Sequence, residues 1–414
     1  MKRFLSSIFF KAIVIALFTL GLTTLVERLL ETSFMRTVFP ETIALEQFDF
    51  TDFVFRSRET AADTNIVLVN IGELDRGQIA QQVEIINRYQ PKVIAFDIIF
   101  SIPDSSHLFE SQTQKLVKAL RKCMNVVLLT QIADLSDSSS KVERSVLSDY
   151  TPQFEGFANL KGDSWHLGLE KVRRFRPSVE LDGKRYFSFG AKIAHAYDSV
   201  TSAKLFSRGL QSEIINFRGN ILDWNSLSRH PGQFMVLDWG QALDTTSFDG
   251  RMFGGKIVIF GNLGETLLDT NFSDRYVTPL NPNVIGLAVP DMYSPVIHAN
   301  IVSMILNGDF IDESSNFTSL SITFFVCFLH VLLLLWIHEK FPVWFDLASI
   351  SFIIIQSIFF SLIRLFVFDW FNYKINLNTT LGSLTLASIA LSVYYLGLNL
   401  FKTRLVEASK EHVE

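Results

Sequence analysis

The chain has 414 residues, 48% of them hydrophobic and 19% charged, with a formal net charge of −5. At a mean hydropathy of +0.27 it is too apolar for an ordinary soluble protein and too polar to lie wholly within a membrane. The mild acidity and the lack of any long basic run give no basis for nucleic-acid binding.

In chain order, the first element is "FLSSIFFKAIVIALFTLGLTTLV" (Phe4–Val26), an apolar stretch with one charge, Lys11, that can snorkel toward Lys2 and Arg3. A signal peptide would have a shorter apolar core and then a small-residue cleavage site. Here "VERLLETSF" follows, so residues 1–26 are predicted as a retained transmembrane anchor.

Residues 27–317 alternate short apolar runs with amphipathic ones. "NIVLVNI" (Asn65–Ile71) predicts a strand, and the next segment predicts a helix with Ile79, Val83, Ile86 and Tyr89 on one face, closed by Pro91. "KVIAFDIIF" (Lys92–Phe100) is the next strand, "SQTQKLVKALRK" the next helix and "NVVLLTQIA" the strand after it. Asp182-Gly183 reads as a hairpin turn, with a helix starting near Ser188. "SEIINFRG" and "QFMVLDW" are further strands, and "KIVIFGN" rejoins the sheet. The pattern predicts an α/β domain: a mostly parallel sheet with flanking helices plus an antiparallel hairpin insertion.

The stretch "GGKIVIFGNLGE" tests for a nucleotide loop. Lys256 precedes the strand, no Lys-Ser/Thr follows Gly264, and only Gly261 and Gly264 would serve a dinucleotide fingerprint. The glycines are read as a tight strand exit. No Ser-His-Asp or Cys-His order is defensible either, so neither catalytic residues nor a cofactor are expected.

Residues 318–401 hold three more spans: "SLSITFFVCFLHVLLLLWI" (Ser319–Ile337), Leu347–Phe368 with Arg364 near its end, and the uncharged Thr379–Phe401. Nineteen residues at 1.5 Å each give about 28 Å, enough for the hydrocarbon core. The basic flanks Lys2, Arg3, Lys11, Lys340, Lys402, Arg404 and Lys410 fall on one side of four spans, so both termini are expected in the cytoplasm and residues 27–317 outside. Cys123 and Cys327 then lie in different compartments. An exported domain without a disulfide framework points to the bacterial inner membrane.

In an open α/β sheet a ligand binds beyond the carboxyl ends of the strands. The candidates there are Asp75, Asp97, Asp104, Asn262 and Asp269, with Glu73, Ser101, Thr130, Gln131, Glu265 and Asp274 nearby. Converging carboxylates suit a cation or an amine-bearing ligand. The bland alternative is that each caps a helix or closes a turn; Asp97, inside an apolar strand, is the best exception. His298 is expected to be satisfied by local hydrogen bonds rather than to bind metal, for it has no H-x-x-x-H companion. No metal site is predicted. His330 lies mid-span, as a neutral hydrogen-bonding group or a functional one. In the last span Ser383 and Ala387, and Ser388 and Ser392, form small-x-x-x-small pairs that fit a partner protein, a second copy, or this chain's own second and third spans.

These landmarks, from "FDFTDFVFRSRE" through "PKVIAFDIIFSIPD", "VRRFRPSVELDGKRYFSFGAKIAHAY" and "GKIVIFGNLGETLLDTNFSDRYVTPL" to "PVIHANIVSMILNGDFI", resemble the second class of CHASE domains over about residues 40–312. The resemblance implies an extracytoplasmic sensory module with one span before and three after, as in bacterial cyclases and histidine kinases. Such receptors carry an output domain after the last span, whereas only residues 402–414 follow here, too few to bury a core. The expectation is a non-enzymatic sensory or regulatory subunit acting through a separate membrane or cytoplasmic partner. The alternative is a structural accessory subunit of an envelope complex; an outer-face enzyme is weakest.

Overall fold

Among the described residues, the first helix, α1 (Ile8–Leu30), is one of four helices long and apolar enough to cross a membrane. The computed structural model describes residues 8–30, 32, 49–101, 107–135, 137, 139–149, 154–160, 171–221, 232–267, 274–281 and 289–411, and the counts below are of those residues. Contacts divide the chain into two units, Met1–Ile43 with Asp312–Glu414, and Ala44–Ile311.

The Ala44–Ile311 unit opens with a short helix, α2 (Thr51–Ser57), followed by β1 (Ile66–Asn70), α3 (Arg76–Asn87), β2 (Val93–Asp97), α4 (His107–Leu120) and β3 (Val126–Ile132). Two edge strands follow, β4 (Val142–Arg144) and β5 (Phe154–Phe157), then β6 (Arg174–Phe175) and the hairpin β7 (Ser178–Leu181) to β8 (Lys184–Phe187). Helices α5 (Phe189–Tyr197) and α6 (Ser199–Ser207), β9 (Glu213–Ile214), β10 (Met235–Leu237), α7 (Trp239–Leu243), β11 (Ile257–Gly261), β12 (Arg275–Tyr276), β13 (Met292–Tyr293) and α8 (Ser294–Asn307) complete it.

Strands β10, β1, β11, β2 and β3 lie side by side in that order, all parallel. β5 extends the sheet parallel to β3, and β4 pairs antiparallel with the end of β3. The late strand β11 inserts between β1 and β2, in register from Ile66↔Ile257 to Asn70↔Gly261 on one side and Ile257↔Val93 to Gly261↔Asp97 on the other. Every residue of β1 and β11 is buried, as apolar runs covered on both faces require. Alternate residues Val67, Val69, Ile94, Phe96, Val258 and Phe260 pack with Ile79, Val83, Ile86, Leu116 and Leu120 of α3 and α4. Ile66, Leu68, Ala95, Ile257 and Ile259 fill the opposite face, which α5 and α8 cover.

The hairpin turns at Asp182 and Gly183, both at positive φ (49° and 69°), and Ser188 caps α5, as the sequence predicts. Two expectations need correction. β2 ends at Asp97 rather than Phe100, because its partner β11 ends at the paired Gly261. "SEIINFRG" contributes only Glu213–Ile214 to a ladder, antiparallel to β6; farther on, Arg218 N and Gly219 N donate to the Asn300 side chain in place of a neighbouring strand.

One buried ion cluster joins distant parts of this unit. Asp52 of α2, 1% exposed, accepts from Lys171 Nζ at 2.8 Å and from Arg173 at 2.8 and 3.1 Å. Two cations around one carboxylate satisfy it from both oxygens, which is what makes such burial tolerable.

In the other unit, β14 (Asp312–Glu313), α9 (Asn316–Lys340), α10 (Phe345–Phe371), β15 (Tyr373–Lys374) and α11 (Asn378–Glu411) follow, with β14 and β15 parallel. Helices α1, α9 and α11 share a core of Ala12, Ile15, Ala16, Cys327, Val331, Leu334, Leu335, Ala387, Ala390 and Leu391. Thr323 and Thr380 join hydroxyls across it at 2.8 Å. α10 stands apart: 6% of its apolar window is buried, against 33, 39 and 28% for the other three. Residues 402–411, expected as a short tail, continue α11 as helix.

Candidate functional site

Because β1, β11, β2 and β3 run parallel, their carboxyl ends emerge along one edge, and a cleft of ≈ 570 Å³ opens there. Its polar lining is Asp97, Thr130, Gln131, Asn159, Asn262, Asp274 and Tyr276, with Ser294 at the start of α8; Ile98, Ile99, Leu129 and Leu160 are among its apolar walls. This is the edge at which open α/β sheets bind ligands.

Two residues shape that edge. Asn70, fully buried at the end of β1, accepts from Gly72 N and Leu263 N at 3.0 Å and donates to Asp238 Oδ1 at 2.8 Å and Gly264 O at 3.0 Å. One amide thus uses both its donors and its acceptor to tie the exits of β1, β10 and β11. Gly261 ends β11, and a Cβ there would come within 2.4 Å of Pro295 Cγ and 3.3 Å of Asp97 Cβ. Its missing side chain lets the first turn of α8 approach the sheet, setting Ser294 and His298 against Asp97.

Asp97 is the chemically unusual group. Its side chain is 4% exposed, Ser294 donates its hydroxyl to the carboxylate, and Oδ2 has no hydrogen-bond partner. Burial pushes its pKa up to about 7, the Ser294 bond opposing. His298 Nε2 lies 3.8 Å from Asp97 Oδ1, beyond a hydrogen bond, and the ring meets Phe189 edge-on at 5.0 Å. Burial pushes His298 down to about 3, so the ring is neutral. Tyr276 is raised by burial and by the Asp97 and Asp274 carboxylates.

Ser294, Asp97 and His298 are the residue types of a hydrolytic triad, wired in the wrong order. The serine proton goes to the carboxylate, and the histidine, which would have to stand between them as base, is buried and neutral. The cleft can bind and orient a ligand; it does not assemble an activated nucleophile from these three.

The model of the CHASE2 domain matches residues 12–337. The chain belongs to the CHASE2 family. CHASE2 domains are extracytoplasmic sensory domains and not catalytic themselves. Neither comparison with curated proteins nor comparison with solved structures gives a match. The matched stretch begins within α1 and ends within α9, so it takes in the whole sheet unit of this CHASE2 chain.

Of the site residues predicted from sequence, the CHASE2 sheet brings Asp97 and Asn262 into one cleft, with Thr130, Gln131 and Asp274. Asn262 is engaged, accepting from Gly264 N at 2.9 Å and donating to Asp274 Oδ2 at 3.2 Å. Asp75 stands outside the cleft lining and caps α3, accepting from Gln78 N at 2.8 Å in a capping box. Asp104 and Asp269 lie outside the described residues. His298 differs from expectation: neither ring nitrogen has a hydrogen-bond partner, because it sits in the second turn of α8 facing the sheet, where no backbone donor or acceptor is left over. Asn70 was missed; its signal was an amide closing the apolar run "IVLVN".

In the helical unit, Ser383 and Ala387 are buried, Ala387 in the core shared with α1 and α9, so this pair serves the chain's own packing with its first and second spans. Ser388 is half-buried and Ser392 exposed. His330 is buried and faces Gln356 of α10.

Proposed function

We propose that the chain is a non-enzymatic sensory or regulatory subunit of the bacterial inner membrane, whose outer unit binds a ligand in the carboxyl-edge cleft and acts through a separate membrane or cytoplasmic partner. The observation that carries this reading is the cleft itself: in a member of a sensory family, it gathers polar side chains at the edge where such sheets take ligands. Four apolar helices and one-sided basic flanks support residues 27–317 outside and both termini inside. Ser392, exposed on α11, and its neighbour Ser388 offer the small-residue approach that a membrane partner or a second copy would use.

The test uses the full chain in lipid nanodiscs, screened for thermal stabilisation by ions, nucleotides and small metabolites, together with pull-down from native membranes. Saturable stabilisation by one class, and a partner released by Ser388→Leu with Ser392→Leu, are expected. A stable complex whose subunits stay bound in the double variant, with no stabilising small molecule, would instead make the chain a structural accessory subunit.

A further inference from the structure

The lining of the cleft specifies a charge. Among its described residues there are two carboxylates, Asp97 and Asp274, and no Lys, Arg or His. Asp97 is more than nine-tenths buried, yet its Oδ2 has no partner and the nearest ionisable ring, His298, is neutral. A carboxylate in that position is stabilised by a ligand that brings positive charge and hydrogen-bond donors. An anionic ligand would meet two like charges and raise Asp97 further.

A metal ion is disfavoured on ligand number. Calcium takes 6–8 oxygens, and no group of three or more His, Cys, Asp or Glu placed to hold a metal occurs among the described residues. The walls are also wrong for a bare hydrated ion, since Ile98, Ile99, Leu129 and Leu160 present apolar surface beside the carboxylates.

We propose that the cleft takes an organic ammonium ligand, its cationic head on the carboxylates of Asp97 and Asp274 and its apolar body against Ile98, Ile99, Leu129 and Leu160. This deepens, and rests on, the sensory reading above. The titratable groups around Asp97 are His298 from α8 and Tyr276 from β12, and Asp274 is the other carboxylate of the cleft lining. With His298 and Tyr276 both neutral near pH 7, the ammonium supplies the positive charge, and Asp97 must give up its proton to receive it.

The experiment is isothermal titration of the full chain in nanodiscs with n-butylammonium, against 1-butanol and butyrate as isosteric controls. Saturable binding of the amine alone is expected, strengthening as pH rises from 6 to 8. Asp97→Asn should weaken it by about tenfold or more and Asp274→Asn by a few-fold. The second variant is at an exposed position of positive φ that asparagine adopts readily, so it folds even if the first does not. Asp75→Asn, which keeps the α3 cap, should bind as the wild type. Binding of butyrate or butanol as tight as that of the amine, no binding of the amine, or wild-type affinity in both cleft variants would overturn the proposal. If butyrate binds and changes the association of a copurifying partner, the amine assignment fails while the sensory reading stands. If the amine binds and partner association is unmoved, the assignment stands and the sensory reading fails.

Discussion

At the scale of the residue, Asp97 and His298 form a buried pair whose proton count hides from pH. The Asp97 carboxyl, raised from 3.8 to about 7, holds its proton in the folded state after the unfolded chain has lost it. Its contribution to stability therefore falls as pH rises through that window. His298, lowered from 6.5 to about 3, is neutral in the folded state while the unfolded chain is charged, so its contribution rises with pH over nearly the same window. Folded and unfolded pairs both carry one proton between about pH 4 and 6.5, and the two slopes cancel. Single substitutions should expose them. His298→Leu should lose stability from pH 4 to 7 relative to wild type, and Asp97→Asn should gain it from pH 4 to 6.5, each on the order of 2–4 kcal/mol. Urea midpoints of the full chain across that range measure this; parallel profiles for all three proteins would refute it. Asn70→Ala removes four hydrogen bonds and strands the buried amide of Leu263 and the half-buried amide of Gly72, so a loss of about 2–4 kcal/mol is expected in the same melts. Asp97 was legible in the sequence as a carboxylate within an apolar run. Its partner was not, because His298 lies 201 positions away and only the close crossing of α8 at Gly261 joins them.

At the scale of the element, apolar runs bounded by glycine, proline and asparagine made most of the sheet readable. "NIVLVNI", "NVVLLTQIA" and "KIVIFGN" are strands within a residue or two of where the pattern puts them. Order within the sheet was not readable, since the entry of β11 between β1 and β2 is decided by long-range pairing and leaves no local mark. "SEIINFRG" looked like a strand because it is apolar and buried, and burial alone does not distinguish a ladder from a segment held by Asn300. The Asp52 cluster is a second long-range device. Asp52→Asn leaves Lys171 and Arg173 buried around a neutral amide and should cost about 3–5 kcal/mol. The urea midpoint should drop accordingly, and a change below 1 kcal/mol would mean that the cations re-solvate.

At the scale of the whole molecule, four apolar helices were legible because twenty-odd residues without paired charges have few other uses. Which helices pack together was not, for lipid and protein neighbours look alike to an apolar side chain. α10 is the example, apolar all round and little buried, while α1, α9 and α11 form the core. Under the proposed orientation, a reporter fused after Glu414 is active in the cytoplasm and one inserted between residues 27 and 317 only outside; the opposite pattern would reverse the assignment.

α11 is a single helix of 34 residues, about 51 Å long where the hydrocarbon core is about 30 Å thick. It continues as helix past Leu398 to Glu411, so the membrane part and the part near Glu411 share one angular phase. One residue inserted there would turn everything beyond it by about 100°, and seven would nearly restore it. A partner that reads this helix reads a direction as much as a distance.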